Sequence, residues 1–128
     1  MRALILDSGA VTGLARQYQR SPANLRLDES PDTWSAVVPS LVLVECLSGR
    51  QRADAMVNRF LKRCQVVDGP HETLARRAGS LRAQAGRGSA VDAVVVAMAE
   101  PGGAVLTGDL RDLKALAAYA QDVSVFSM

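Results

Sequence analysis

Histidine is almost absent from this chain: His71 is the only one in 128 residues. Cysteine is limited to Cys46 and Cys64, lysine to Lys62 and Lys114, and aromatic residues to 4%. A Ser-His-Asp triad, a Cys-His pair or a His-rich zinc site therefore lacks parts. The two cysteines lie in apolar surroundings without paired spacing, which excludes a disulfide framework and suits reduced, buried thiols. Long apolar runs are missing as well. The longest, residues 93–99, is far short of a membrane span. Arg2 is followed by only Ala3-Leu4-Ile5-Leu6 before Asp7, too short for a signal-peptide core. The expectation is a cytoplasmic protein with no membrane partner. A net charge of +2 excludes a polybasic nucleic-acid arm. The thirteen arginines suit phosphate recognition by their planar fork, although a GC-rich genome gives the same skew.

What is present is an alternation. The length fits one domain, residues 1–128, with 48% apolar residues to fill a core. Residues 3–6 read as a buried strand and 8–20 as a helix with Val11, Leu14, Ala15 and Tyr18 on one side. Residues 21–35 are polar, with Pro22 and Pro31, and read as a loop or a helix-connecting segment. A strand is expected at 36–38, ended by Pro39. The apolar run 40–48 fits either period; Pro39 before it and Gly49 after it favour a helix. Helices follow at 52–63, 71–84, 89–100 and 110–120, and strands at 65–67, 104–106 and 123–126. The breakers between them are Asp68-Gly69-Pro70, Gly86-Arg87-Gly88 and Pro101-Gly102-Gly103. This order predicts an α/β fold: a central parallel sheet of about five strands with helices on both faces.

Four carboxylates stand where that fold wants apolar or turn residues. Asp7 ends the first strand, Glu45 interrupts Leu41-Val42-Leu43-Val44, Asp92 opens Ala93-Val94-Val95-Val96-Ala97, and Asp109 follows Val105-Leu106-Thr107-Gly108. Ligands of parallel sheets bind beyond the carboxyl ends of the strands, at a switch in strand order. Asp7 and Asp109 belong at that edge, and Glu45 and Asp92 lie near helix starts that can lean over it. Carboxylates within ~4 Å of one another repel by roughly 4 kcal/mol per pair at an effective dielectric near 20. A shared cation removes that cost. Hard oxygen ligands suit one or two Mg²⁺ or Mn²⁺ ions, and such a cage is suited to phosphodiester hydrolysis.

Each acid has a plainer use. Asp7 can cap the helix at 8–20, Asp92 can complete a capping box with Ser89, and Asp109 can cap the last helix with Asp112 at its N3 position. Glu45 alone has no capping role. The combination carries more than any member does.

In order and spacing the motifs resemble those of PIN-domain ribonucleases, most closely the VapC-type toxins of bacterial toxin–antitoxin pairs. Leu4-Ile5-Leu6-Asp7-Ser8-Gly9-Ala10 looks like the first motif and Val38-Pro39-Ser40-Leu41-Val42-Leu43-Val44-Glu45 like the second. Gly88-Ser89-Ala90-Val91-Asp92-Ala93 is similar to the third, and Thr107-Gly108-Asp109 with Asp112 to the fourth. The resemblance spans the chain and implies a PIN-like three-layer sandwich. It implies a Mg²⁺ or Mn²⁺ site of Asp7, Glu45, Asp92 and Asp109, with Asp112 as an outer ligand or a helix-start residue. Ser8 and Thr107 would hydrogen-bond a site carboxylate or water. The implied activity is cleavage of RNA, of the transfer or ribosomal class. The implied partners are a VapB-type antitoxin covering the site, a second copy in a homodimer, and operator DNA reached through the antitoxin.

RNA near so many acids needs basic residues at the rim. Arg82 and Arg87 are the candidates, with Arg76 and Arg77 on the same predicted helix; solvated helix faces are the plainer use. Tyr18 and Trp34 could stack on bases or belong to the core. Two other enzymes fit less well. A haloacid-dehalogenase-like phosphatase needs a second Asp where Gly9 stands, and a response-regulator receiver needs a lysine after a late strand, whereas Lys114 falls inside the last helix. The non-enzymatic alternative is a catalytically weak PIN-like protein acting through its antitoxin complex and operator DNA.

Overall fold

The computed structural model describes residues 2–22 and 35–128. Five strands form one sheet: β1 (Ala3–Leu6), β2 (Ser35–Pro39), β3 (Gln65–Val67), β4 (Ala104–Thr107) and β5 (Ser124–Ser127). Every pairing is parallel, and the order is β3-β2-β1-β4-β5. Helices α1 (Ser8–Arg20), α2 (Leu43–Cys46), α3 (Gln51–Leu61), α4 (Glu72–Ala85), α5 (Ala90–Ala99) and α6 (Leu110–Ala117) complete the chain. The chain steps outward from β1 through β2 to β3, then crosses back to β4 on the other flank. Right-handed crossovers then set the two excursions on opposite faces. Accordingly α1 packs with α3, and α4 and α6 pack with α5.

The α/β reading and the five-stranded parallel sheet hold. Helix α5 is apolar almost all round and buried, because it lies against β1, β2 and β4 beneath α4 and α6. Ile5, Leu6, Val38, Val95, Val96, Val105, Phe60, Leu113 and Leu116 are the fully buried centre. Tyr18 packs on Phe60 with ring centroids 6.4 Å apart, and the Arg63 guanidinium lies 5.5 Å from the Tyr18 centroid.

Most of the segment expected as a loop or connector at 21–35 lies outside the described residues; among those described, one expected element differs. Residues 40–48 are not one helix: a 3-10 turn at Ser40–Val42 leads into the single turn α2. Only Val42 of this run is fully buried, and Val44 is 74% exposed. The run is too apolar for its surroundings, which is why periodicity could not place it. The short turn then reverses into α3, where Asp54 accepts hydrogen bonds from the Ser48 amide (2.9 Å), the Ser48 hydroxyl (2.9 Å) and the Gly49 amide (2.8 Å). Those donors hold the Asp54 carboxyl below its ordinary value, the Ser48 amide most of all.

A second polar clamp ties the far layer. Arg77 on α4 donates through Nε and Nη2 to Glu100 at 2.8 and 2.7 Å, and through Nη2 to the Tyr119 carbonyl at 3.2 Å. Glu100 also accepts from the Gln121 amide at 2.7 Å. The bidentate guanidinium holds the Glu100 carboxyl below its usual range. No helix among the described residues is long and apolar enough to cross a membrane.

Candidate active site

The register of β1 on β4 builds the site. Leu6 pairs with Leu106, and the Asp7 amide donates to the Leu106 carbonyl at 3.2 Å. One residue further, Asp7 stands beside Thr107, at the point where the chain leaves β1 for one face and β4 for the other. Asp7 caps α1, its Oδ1 accepting from the Ala10 amide at 2.8 Å and from the Gly108 amide at 3.3 Å. The Thr107 hydroxyl donates to Oδ2. That hydroxyl also accepts from the Asp109 amide at 2.7 Å. Asp7 is 5% exposed and Thr107 fully buried. The capping use and the site position of Asp7 thus coincide in one carboxylate.

Asp92 does two jobs as well. The capping box is present: Ser89 Oγ accepts from the Asp92 amide at 3.0 Å, and Asp92 Oδ2 accepts from the Ser89 amide at 3.2 Å. The other carboxylate oxygen remains available. Burial raises the Asp92 carboxyl above the usual carboxylate range; the bonds from Ser89 restrain that rise, and the Asp7 and Asp112 charges add to it. A carboxylate that is costly to ionise here gains most from a cation.

Glu45 and Asp109 are exposed, and their carboxylates make no hydrogen bond or ion pair among the described residues. Asp109 occupies the capping position of α6 without a side-chain cap. Ser8 lines the cleft; its hydroxyl bonds no carboxylate among the described residues, and its backbone carbonyl accepts from Cys46 Sγ at 3.8 Å. Burial pushes the Cys46 thiol up to about 11, and the Glu45 and Asp7 charges push the same way. Cys46 is protonated at neutral pH and is no thiolate nucleophile.

Asp7, Ser8, Gly9, Glu45, Ser89, Asp92, Gly108 and Asp109 line one open cleft of about 430 Å³. Helices α1, α5 and α6 all begin at this cleft. Among the described residues no group of three or more His, Cys, Asp or Glu side chains is gathered closely enough to hold one ion. The acids ring the cleft without converging. The donor chemistry still fits a hard divalent cation, since every candidate ligand is a carboxylate oxygen. The two acids that would have to turn inward, Glu45 and Asp109, are those without partners.

Asp112 does not line the cleft. It lies on α6 and accepts from Arg87 Nε at 2.8 Å. Arg82 donates from Nε to the Gly88 carbonyl at 3.0 Å. Arg77 is spent on Glu100, and Arg76 pairs with Glu72 on the exposed face of α4. His71 caps α4 through Nδ1, which accepts from the Leu74 amide at 3.2 Å. Tyr18 sits about 16 Å along α1 from Asp7, at 1.5 Å per residue, and serves the α1–α3 contact. Trp34 lies outside the described residues.

Two features at and near the site go beyond the expectations from sequence. Gly9 and Gly108 meet backbone to backbone: a Cβ on Gly9 would stand 3.0 Å from the Gly108 Cα. Asp54 fixes the turn that follows Glu45; the Ser48-Gly49 pair ahead of an acid in the first turns of a helix was the available hint.

The chain has a PIN-like α/β fold, a five-stranded parallel sheet between layers of helices, which it shares with solved structures of low sequence identity. It superposes on PAE2754 of Pyrobaculum aerophilum with a TM-score of 0.64 at 15% identity, covering 97% of this chain and 83% of that one. It superposes on a chain of the VapBC2 complex of Rickettsia felis, solved bound to a DNA fragment from its promoter, with a TM-score of 0.62 at 12% identity and 98% coverage of both. No protein-family model matches the sequence, and no curated protein matches it.

Proposed function

We propose that this protein is a Mg²⁺- or Mn²⁺-dependent endoribonuclease, the toxin of a VapBC-type pair, hydrolysing phosphodiester bonds in transfer or ribosomal RNA. The observation that supports this most is the meeting of Asp7, Glu45, Asp92 and Asp109 around one cleft at the β1–β4 switch of a PIN-like fold. In this reading Asp7 and Asp92 are the preset ligands, oriented by Thr107 and Ser89. Glu45 and Asp109, which line the same cleft, would supply the remaining ligands for one or two ions. A bound divalent ion supplies an acidified water and charge stabilisation at the leaving oxygen. Thr107 keeps Asp7 from turning away and, through the Asp109 amide, fixes the backbone that carries Asp109. Asp112 acts from outside through Arg87. A VapB-type antitoxin covers the cleft and carries the complex to operator DNA, by analogy with the Rickettsia complex, and the toxin forms a homodimer.

The test is incubation of total RNA with antitoxin-free protein and Mg²⁺ or Mn²⁺, beside Asp7→Asn. Discrete fragments absent from the Asp7→Asn lane and abolished by EDTA support the reading. Zn²⁺ working as well as Mn²⁺ would contradict a hard-oxygen site. The wide spacing of the acids favours a second reading, a catalytically weak PIN-like protein acting through its antitoxin and operator DNA. Intact RNA from a folded sample that still binds the antitoxin would select it.

A further inference from the structure

Beside the acidic cleft lies a second pocket of about 380 Å³, lined by Gly79, Arg82, Ala83, Gly86, Arg87 and Gly88. We propose that it is a phosphate subsite: the terminal guanidinium nitrogens of Arg82 and Arg87 hold a backbone phosphate of the RNA next to the one being cut. This rests on the ribonuclease reading above.

Both arginines are anchored by the same atom. Arg82 Nε donates to the Gly88 carbonyl at 3.0 Å and Arg87 Nε to Asp112 Oδ1 at 2.8 Å. No hydrogen bond occupies their Nη atoms among the described residues. Each guanidinium is thus aimed, with its terminal pair of N–H groups left for a ligand. Loose surface arginines would first have to lose side-chain freedom; these have lost part of it already. The pocket's own lining carries two cations and no acid.

The loop is shaped to present them. Gly86 and Gly88 on either side of Arg87 have φ of +67° and +93°, a backbone that other residues rarely adopt. A Cβ on Gly88 would come within 2.8 Å of Leu116 Cδ1, so the loop is seated on α6. Around the pocket, Cβ atoms on Gly79 or Gly86 would meet nothing within 4 Å, which leaves room for a tetrahedral anion. Location supplies the function. Gly88 lines this pocket and Ser89, the next residue, lines the acidic cleft. A strand carrying phosphates past four carboxylates needs an attractive contact at the flanking phosphate, and this is the place for it.

The experiment has two arms on the whole chain. In the first, the arginine Nε–H signals are followed by NMR as inorganic phosphate is added. In the second, a 2′-O-methyl RNA oligonucleotide, which resists cleavage, is titrated by fluorescence anisotropy over a range of salt. Arg82→Gln, Arg87→Gln and the two Lys variants are compared with the parent, their folding checked by thermal melts. The proposal expects phosphate to shift the Arg82 and Arg87 signals. Each Gln variant should weaken oligonucleotide binding roughly tenfold and lower the salt slope by about one. The Lys variants should keep the slope while losing affinity, because charge survives and the fork does not. Equal oligonucleotide affinity in parent and folded Gln variants overturns the proposal, even if phosphate shifts the signals, since the pocket would then serve free phosphate only. RNA cleavage read separately divides the two claims. Cleavage with unaltered variant binding removes the subsite alone; engagement of both arginines without cleavage removes the nuclease reading alone.

Discussion

Gly9 and Gly108 meet backbone to backbone, so a Cβ on either would stand only 3.0 to 3.2 Å from the other's Cα at the start of α1 and the turn between β4 and α6. That contact brings the Gly108 amide to Asp7 and narrows the cleft floor. Gly9→Ala forces the two turns apart by a few tenths of an ångström. We expect a loss of about 1 to 3 kcal/mol, the usual range for overpacking, with weakened Mn²⁺ binding by calorimetry. An alanine variant with unchanged melting and metal affinity would show that the contact does not shape the site.

Thr107 has no solvent exposure, and its hydroxyl serves Asp7 and the Asp109 amide together. Thr107→Val keeps the shape and leaves a buried carboxylate and a backbone N–H each short of a partner. The expected cost is about 1 to 3 kcal/mol, measured by urea denaturation, while Thr107→Ser stays close to the parent. Equal stability of the Val variant would rule out the bridging role.

Glu45 is exposed and makes no polar contact among the described residues. Glu45→Ala should therefore leave metal-free stability within about 0.5 kcal/mol, or raise it by relieving repulsion. The rise in melting temperature on adding Mn²⁺ should shrink. A large fall without metal would assign Glu45 to the fold instead.

Asp54 supplies the pH test. Its carboxyl lies below the ordinary value of 3.8, chiefly because the Ser48 amide donates to the charged form. A depressed carboxyl stabilises the fold fully above its unfolded value, and that contribution fades as pH falls through the lower folded value. Asp54→Asn should therefore melt lower than the parent at neutral pH, and the gap should close below about pH 4. A gap independent of pH would mean that shape alone, and not charge, holds the turn.

The alternation of apolar runs and breakers carried the sheet, its parallel sense and most element boundaries, because each strand and helix is specified locally. The four acids were legible for the same reason: each interrupts or ends a run. What could not be read depends on contacts far apart in sequence. Arg77 and Glu100, Arg87 and Asp112, and Gly9 and Gly108 meet only after folding, and nothing near either partner announces the other. Residues 40–48 misled because an apolar run implies burial, whereas Val44 faces solvent. The non-convergence of the acids was likewise invisible, since spacing gives the edge of the sheet but not the turn of a side chain.

The sheet order has a consequence for the timing of synthesis. β1 is made first yet lies in the middle, and its partner on one side is β4. The Asp7 carboxylate waits on an amide 101 residues later, that of Gly108. A nascent chain can pack β1, β2 and β3 with their helices as they emerge, but it holds only half a cleft. If this protein cuts RNA, the ribosome that makes it is exposed to no assembled site until Gly108 and Asp109 have emerged.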